Sequence, residues 1–86
     1  MVEVKQFSAS WCGPCKMLTP VINEIKGELT EANFNYIDVD TNSELVSKYG
    51  VRGVPTVVIE KDGVEVKRFV GMQQKGTLVN EIKSHL

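Results

Sequence analysis

The chain has 86 residues, of which 42% are hydrophobic, and its ten basic and eleven acidic side chains leave a formal charge of −1. This length predicts a single domain, residues 1–86, that can fold without a disulfide or a metal. The balanced charge argues against a nucleic-acid partner or an anionic membrane surface. No apolar stretch could span a bilayer and the first residues lack a secretory-signal pattern, so we expect a cytoplasmic protein with no membrane partner.

The chain opens with a strand pattern followed by a helix pattern. Residues 2–7 alternate apolar and polar side chains for most of their length, as a half-buried strand does. Apolar residues at helical spacing then predict a helix from about Cys12 to about Glu31, which Pro20 interrupts because it lacks a backbone N–H. One face of the strand carries Val2, Val4 and Gln6, and the apolar face of the helix carries Leu18, Val21, Ile22, Ile25 and Leu29.

A second strand and a short helix follow. Residues 34–40 have a strand composition, and Thr41 with Glu44 three residues later matches a capping box that opens a helix. Gly50 suits the end of that helix. Strand, helix, strand and helix in this order predict two parallel strands joined by a helix.

The last third of the chain predicts a hairpin and a helix. Residues 56–60 and 64–70 have a strand composition and flank the segment KDG, in which Asp62 and Gly63 favour a tight turn between antiparallel strands. A final helix spans about residues 74–86. Its inward residues are expected to be Leu78, Val79, Ile82 and Leu86. The complete order, β-α-β-α-β-β-α, predicts an α/β fold with a mixed four-stranded sheet flanked by helices.

The segment SASWCGPCKM contains both cysteines of the chain, Cys12 and Cys15, and its only tryptophan, Trp11. Cys12 falls on the first turn of the predicted helix, where unpaired backbone N–H groups favour a thiolate, so we expect a lowered pKa. Gly13 and Pro14 suit the tight start of a helix, and Cys15 lies within disulfide reach. An exposed attacking sulfur followed by a less exposed resolving sulfur is what thiol–disulfide exchange needs.

Two other roles for the cysteine pair are disfavoured. A zinc site needs four ligands, whereas the chain offers two cysteines, His85 near the terminus and carboxylates, so we expect no metal. A purely structural disulfide across four residues would remove little entropy from the unfolded chain and would stabilise the fold weakly. The pattern therefore predicts a redox-active pair.

Three segments in this order, WCGPCK at 11–16, GVRGVPT at 50–56 and KDGVEVKRFVGM at 61–72, resemble the thioredoxin family over essentially the whole chain. The resemblance implies the thioredoxin fold. The chain resembles a short form that lacks the first strand and helix of ordinary thioredoxins and has a glutaredoxin-like size. Glutaredoxins usually have CPYC where this chain has CGPC, so the motif itself favours thioredoxin.

The resemblance also implies roles for individual residues. Cys12 is implied to attack a substrate disulfide and Cys15 to resolve the intermediate. Pro55 is implied to be cis and to lie against this pair, leaving the backbone of Val54 to bind an extended peptide. The implied support residues are Trp11, Gly13, Pro14, Lys16 and Pro55, and the implied substrate-binding residues are Trp11, Val54, Gly71 and Met72. Trp11 and Met72 could instead be packing residues.

The sequence departs from the family at two coupled positions. Thioredoxins usually place a buried aspartate six residues before the first cysteine, where this chain has Gln6, and a lysine on the next parallel strand, where it has Tyr36. Glutamine cannot titrate, so we expect Cys15 to lose its proton to water or to the substrate. Asp38 and Asp40 lie near the predicted site and could influence the charge of the preferred substrate.

The sequence therefore predicts a monomeric thiol–disulfide oxidoreductase that reduces protein disulfides and is recycled by a thioredoxin reductase or an equivalent donor. No bound cofactor is implied, because the Cys12–Cys15 dithiol is itself the electron carrier. Two alternatives remain open at this level. One is a glutaredoxin-like enzyme that uses glutathione, and the other is a thioredoxin-fold binding subunit whose redox activity is incidental.

Overall fold

A computed structural model describes residues 1–86 and contains four strands and three helices in the predicted order. The sheet has the strand order β2-β1-β3-β4, in which β1 is parallel to β2 and antiparallel to β3, and β4 is antiparallel to β3. The predicted mixed sheet is therefore confirmed. The bounds are β1 Val2–Ser8, α1 Gly13–Glu28, β2 Asn33–Asp38, α2 Ser43–Tyr49, β3 Thr56–Lys61, β4 Val64–Val70 and α3 Lys75–Lys83.

Each face of the sheet buries its own apolar cluster, because successive side chains of a strand point to opposite faces. Phe7, Ile37 and Val58 form the smaller cluster, against which residues of α2 pack. The larger cluster lies between the sheet and the helices α1 and α3. It contains Val2, Val4, Leu18, Ile22, Ile25, Leu29, Ala32, Val57, Ile59, Leu78 and Ile82. No helix of the structure has the length and apolar character needed to cross a membrane.

Helix α1 begins as predicted but ends earlier. Cys12 is its N-cap residue, and Pro20 lies within it. The last helical residue is Glu28 instead of about Glu31, because Leu29 leaves the helical conformation and turns its side chain into the core. The predicted apolar face is otherwise confirmed.

The capping box predicted at the start of α2 is wrong. Asn42 is the N-cap residue, and no side chain caps the helix. The hydroxyl of Thr41 and the amide of Asn42 both donate to the carbonyl of Asp38, so they stabilise the turn that leaves β2 and not the helix. Gly50 ends α2 as predicted, with a φ of 62° that a residue without a Cβ adopts readily.

The hairpin is confirmed, whereas the last helix is shorter than predicted. Asp62 and Gly63 both have positive φ in the turn between β3 and β4. Helix α3 ends at Lys83, so Leu86 lies beyond it and is 47% exposed instead of inward. The chain leaves the helical path here, and Lys61 Nζ donates to the carbonyl of His85 at 2.5 Å.

Candidate functional site

The strand pairing brings three separate segments of the chain to one edge of the sheet. β1 ends where β3 begins, with Phe7 opposite Thr56, and β4 ends opposite the same residue. The loops that follow β1, precede β3 and follow β4 therefore meet. The N–H of Gly71 donates to the carbonyl of Pro55 at 2.8 Å, which joins the last two loops directly.

Cys12 lies at the centre of this meeting point. As the N-cap of α1, its Sγ accepts a hydrogen bond from the backbone N–H of Cys15 at 3.2 Å. Its thiol donates to the carbonyl of Val54 at an S···O distance of 3.7 Å. The Val54–Pro55 peptide bond is cis, as the resemblance implies. The site thus presents one sulfur between a helix N-terminus and the loop before β3.

The sequence predicts an exposed Cys12 with a lowered pKa, and both predictions are wrong in this structure. Cys12 is 6% exposed, compared with 1% for Cys15, and both are free thiols. Burial raises the pKa of the Cys12 thiol, and the adjacent Cys15 thiol also raises it, while the hydrogen bond from the Cys15 backbone N–H acts in the opposite direction. The helix N-terminus does not outweigh the loss of solvent around the sulfur.

Gln6 stands at the position of the family's usual buried acid, and its side-chain amide is buried and hydrogen-bonded. Gln6 is 3% exposed, and its Nε2 donates to Thr19 Oγ1 at 3.0 Å. The hydroxyl of Thr19 in turn donates to the backbone carbonyl of Cys15, also at 3.0 Å. Tyr36 pairs with Gln6 across β1 and β2, but its side chain is 56% exposed at the sheet edge. No buried ion pair exists at these positions.

An apolar cleft of about 210 Å³ adjoins the cysteines. Trp11 forms one wall and is 67% exposed, and its indole Nε1–H donates to Asp40 Oδ2 at 2.9 Å. This acid therefore orients the indole. The other lining residues come from β2's end, α2 and the loop before β3: Val39, Val46, Val51, Arg52, Gly53 and Val54.

The remaining residues named from the sequence also surround the site. Gly71 has a φ of 92°, which favours glycine, and Met72 beside it is 40% exposed. Gly13, Pro14 and Lys16 are exposed on the first turn of α1. The side chain of Lys16 makes no ion pair and no hydrogen bond to Cys12, so the structure shows no direct contact for its implied support role.

Two residues of the site were missed or undervalued by sequence reasoning. Thr19 lies four residues after Cys15, so helical spacing could have placed its hydroxyl beside the Cys15 carbonyl. Asp40 was expected near the site, but its hydrogen bond to Trp11 joins residues 29 positions apart and has no sequence signal. His85 is paired with Glu81 at 3.0 Å, away from the cysteines.

Sequence comparisons agree with this geometry. A family model described as thioredoxin matches residues 2–84. A thioredoxin from Chlamydia trachomatis is 42% identical over 79 residues, covering 92% of this chain and 78% of the relative. A thioredoxin from Staphylococcus saprophyticus is 42% identical over 86 residues, covering 99% of this chain and 83% of the relative.

Solved structures give the same result. A mutant thioredoxin from Halobacterium salinarum is 48% identical, with a TM-score of 0.91 over 98% of this chain and 74% of that one. Fasciola hepatica thioredoxin is 40% identical, with a TM-score of 0.92 over 99% of this chain and 81% of that one. The similarity therefore extends to the whole arrangement of strands and helices.

Proposed function

The chain belongs to the thioredoxin family of thiol–disulfide oxidoreductases, which act through a cysteine pair without a prosthetic cofactor, and on this premise we propose that Cys12 and Cys15 are its reacting residues. The family implies disulfide substrates and a reductase partner. The glutaredoxin-like and scaffold alternatives are not favoured, since the matched relatives and solved structures are thioredoxins. We take residues 1–86 as one domain with one site, acting as a cytoplasmic monomer.

The position of the Cys12 sulfur carries the proposal. Cys12 Sγ attacks one sulfur of a substrate disulfide, and the other substrate sulfur leaves with the bonding electrons. Cys15 then attacks Cys12 Sγ, which releases the second substrate sulfur as a thiol and leaves a Cys12–Cys15 disulfide. The backbone N–H of Cys15, 3.2 Å from Cys12 Sγ, is placed to stabilise negative charge on that sulfur when the thiol ionises.

The substrate would bind as an extended peptide across the loops that meet at Cys12. Before the reaction, the Cys12 thiol donates a hydrogen bond to the Val54 carbonyl. Once Cys12 has lost its proton and attacked the substrate, this carbonyl can accept from a backbone N–H of the substrate. The exposed side chains of Trp11 and Met72 offer apolar contact area on either side. Gly13, Pro14 and Gly71 would complete the surface with small or rigid residues that let the backbone approach. Pro55 is fully buried, so its role would be to shape the loop and not to contact the substrate.

Cysteine substitution tests the proposal. We expect the parent protein to accelerate reduction of insulin by dithiothreitol, and Cys12→Ser to abolish this activity. Cys15→Ser is expected to be inactive in turnover but to accumulate mixed disulfides through Cys12, detectable by mass spectrometry. If Cys12→Ser formed the mixed disulfides instead, the assigned order of attack would be wrong. If both single variants kept full activity, the cysteine pair would not be the reacting group.

A further inference from the structure

A hydrogen-bonded relay from the sheet holds the resolving cysteine. Gln6 on β1 donates from Nε2 to Thr19 Oγ1, and Thr19 donates to the backbone carbonyl of Cys15, with both distances 3.0 Å. A hydroxyl has one proton, and that of Thr19 is used on the carbonyl, so Thr19 must accept from the neighbouring amide. The orientation of the Gln6 side chain is therefore fixed with its NH₂ group toward Thr19.

The relay acts at a weak point of α1. Pro20 follows Thr19 and has no N–H, so the carbonyl of Lys16 lacks the usual helical hydrogen bond one turn after the cysteines. The first turn of α1 therefore has one backbone hydrogen bond fewer to the rest of the helix. The side chains of Gln6 and Thr19 supply a connection that does not depend on the helix backbone, since they attach the Cys15 carbonyl to β1.

Apart from the Cys12 thiol, no titratable side chain contacts the resolving cysteine. Cys15 is 1% exposed, which excludes bulk water, and its buried neighbours are Ala9 and Cys12. None of the titratable side chains on the surrounding elements hydrogen-bonds to Cys15; they include Lys5 on β1, Lys16 on α1, Tyr36 and Asp38 on β2 and Glu60 on β3. Lys5 pairs with Glu60. Lys75 of α3 pairs with Glu24 and Glu28 of α1, and His85, beyond α3, pairs with Glu81.

We propose that Gln6 and Thr19 are positioning residues for the resolving step, and that the Cys15 proton passes to the departing substrate sulfur. The inference rests on the proposed order of attack. The Cys15 sulfur forms a bond to Cys12 Sγ while the bond between Cys12 Sγ and the substrate sulfur breaks. The broken bond's electron pair and the Cys15 proton both go to the substrate, which leaves as a neutral thiol. Over the whole reaction, Cys12 and Cys15 are oxidised to a disulfide, and the substrate disulfide is reduced to two thiols by the same two electrons.

The proton route predicts how the rate depends on the leaving thiol. Protonation of the departing sulfur limits the charge that develops there, so the rate of resolution should vary only weakly with the basicity of that thiol. Gln6→Glu, a variant of the same shape, places a proton acceptor at position 6. Because a carboxylate cannot donate to Thr19, this variant also breaks the relay, so it is judged by its slope and pH profile and not by its rate alone. The carboxylate is expected to take the Cys15 proton in place of the substrate sulfur. The thiol must then leave as an anion, which should make the dependence steeper and add an ionisation to the pH profile.

Rapid mixing of the reduced protein with symmetrical aryl disulfides of graded basicity separates the two steps. Release of the first thiol reports attack by Cys12, and release of the second reports resolution by Cys15. We expect a shallow slope for the second step in the parent and a steeper one in Gln6→Glu. Equal slopes and identical pH profiles would overturn the proton route, whereas the absence of any second release would overturn the proposed function itself.

Substitution of Thr19 tests the positioning role separately. Thr19→Val keeps the shape but removes the hydroxyl, so we expect the second release to slow about five- to tenfold, as for loss of one net hydrogen bond, with the first release unchanged. Thr19→Ser should restore the parental rate. Thr77→Val, at an exposed position of α3, is the matched control and should change neither step. Parental rates in a folded Thr19→Val protein would overturn the role of the relay.

Discussion

Trp11 shows how a single residue can be exposed and still be held in place. Its indole is 67% exposed at the cleft beside Cys12, yet the hydrogen bond from Nε1 to Asp40 restricts its rotation. A restrained aromatic surface binds a peptide with less loss of conformational freedom than a mobile one. In the proposed function, Asp40 would therefore contribute to substrate binding through Trp11, without contacting either cysteine sulfur.

Replacing Asp40 should release the indole. Asp40→Ala removes the acceptor, and we expect faster decay of fluorescence anisotropy, which reports Trp11 alone because the chain has one tryptophan. A lost hydrogen bond at an exposed site, about 1 kcal/mol, corresponds to about a fivefold higher KM for a protein disulfide. Asp40→Asn retains an acceptor oxygen and is the control. Identical behaviour of the two variants would show that the hydrogen bond does not restrain the ring.

At the scale of the elements, Tyr49 joins α2 to three strands. Its hydroxyl donates to Glu60 Oε2 at 2.9 Å, and Lys5 Nζ donates to Glu60 Oε1 at 2.6 Å. The guanidinium of Arg68 donates to the backbone carbonyl of Tyr49 at 2.7 Å, and the ring packs against Phe7 with centroids 5.6 Å apart. These contacts fix the end of α2, from which the chain continues into the loop of the candidate site.

The charge of Glu60 should make this network sensitive to pH. Burial raises the pKa of Glu60, but the hydrogen bonds from Lys5 and Tyr49 and the Lys5 charge outweigh it, so the pKa is lowered in the folded protein. A carboxylate with a lowered pKa stabilises the fold above its unfolded pKa and loses this contribution as the pH falls through the folded value.

We therefore expect Glu60→Gln to lower the free energy of unfolding by about 1–3 kcal/mol at pH 7, because the Lys5 ammonium loses its closer charged partner and keeps only Glu3, 3.6 Å away. The difference from the parent should begin to shrink as the pH falls below the unfolded pKa of about 4.3 and should be lost once the pH has fallen through the lowered pKa of the folded state. Urea denaturation at several pH values measures it. Tyr49→Phe keeps the ring and the carboxylate, so it should show a smaller loss. A gap for Glu60→Gln that stayed constant down to pH 3 would contradict this account.

At the scale of the whole molecule, a four-stranded sheet has helices on both faces, and most of the core lies on one of them. Leu78 of α3 is 0% exposed within the larger cluster, which also contains residues of α1, β1 and β3. Because so short a chain has one main core, a cavity there weakens every element that shares it. Surface apolar residues such as Val64, 65% exposed on β4, carry little of this energy.

Leu78→Ala should lower the free energy of unfolding by about 2–5 kcal/mol, from lost burial and the remaining cavity. Val64→Ala should change it by no more than about 0.5 kcal/mol. Equilibrium urea unfolding, monitored by far-UV circular dichroism, measures both. Equal effects of the two substitutions would mean that stability does not reside in the larger cluster.

The local sequence was sufficient for the order of elements and for the position of the two cysteines at the start of α1. The apolar face of α1, the Asp62–Gly63 turn and the glycine that ends α2 all depend on residues a few positions apart, where periodicity and backbone preference act directly. Helix ends were less predictable. Leu29 and Leu86 both fit a helical repeat, but both lie beyond the last residue of their helix. Leu29 packs into the core there, whereas Leu86 is exposed.

The sequence by itself determined the α/β fold and the two cysteines at the start of a helix, because spacing and turn chemistry specify them. Only the tertiary structure decided what surrounds those sulfurs. It buries Cys12 against Val54, 42 positions away, and so raises its pKa instead of lowering it. It also directs the amide of Gln6, which stands where the family usually has a titrating acid, toward the hydroxyl of Thr19, 13 positions away. Desolvation and hydrogen-bond partners are properties of the folded chain, since they arise from groups that only strand pairing and helix packing bring together.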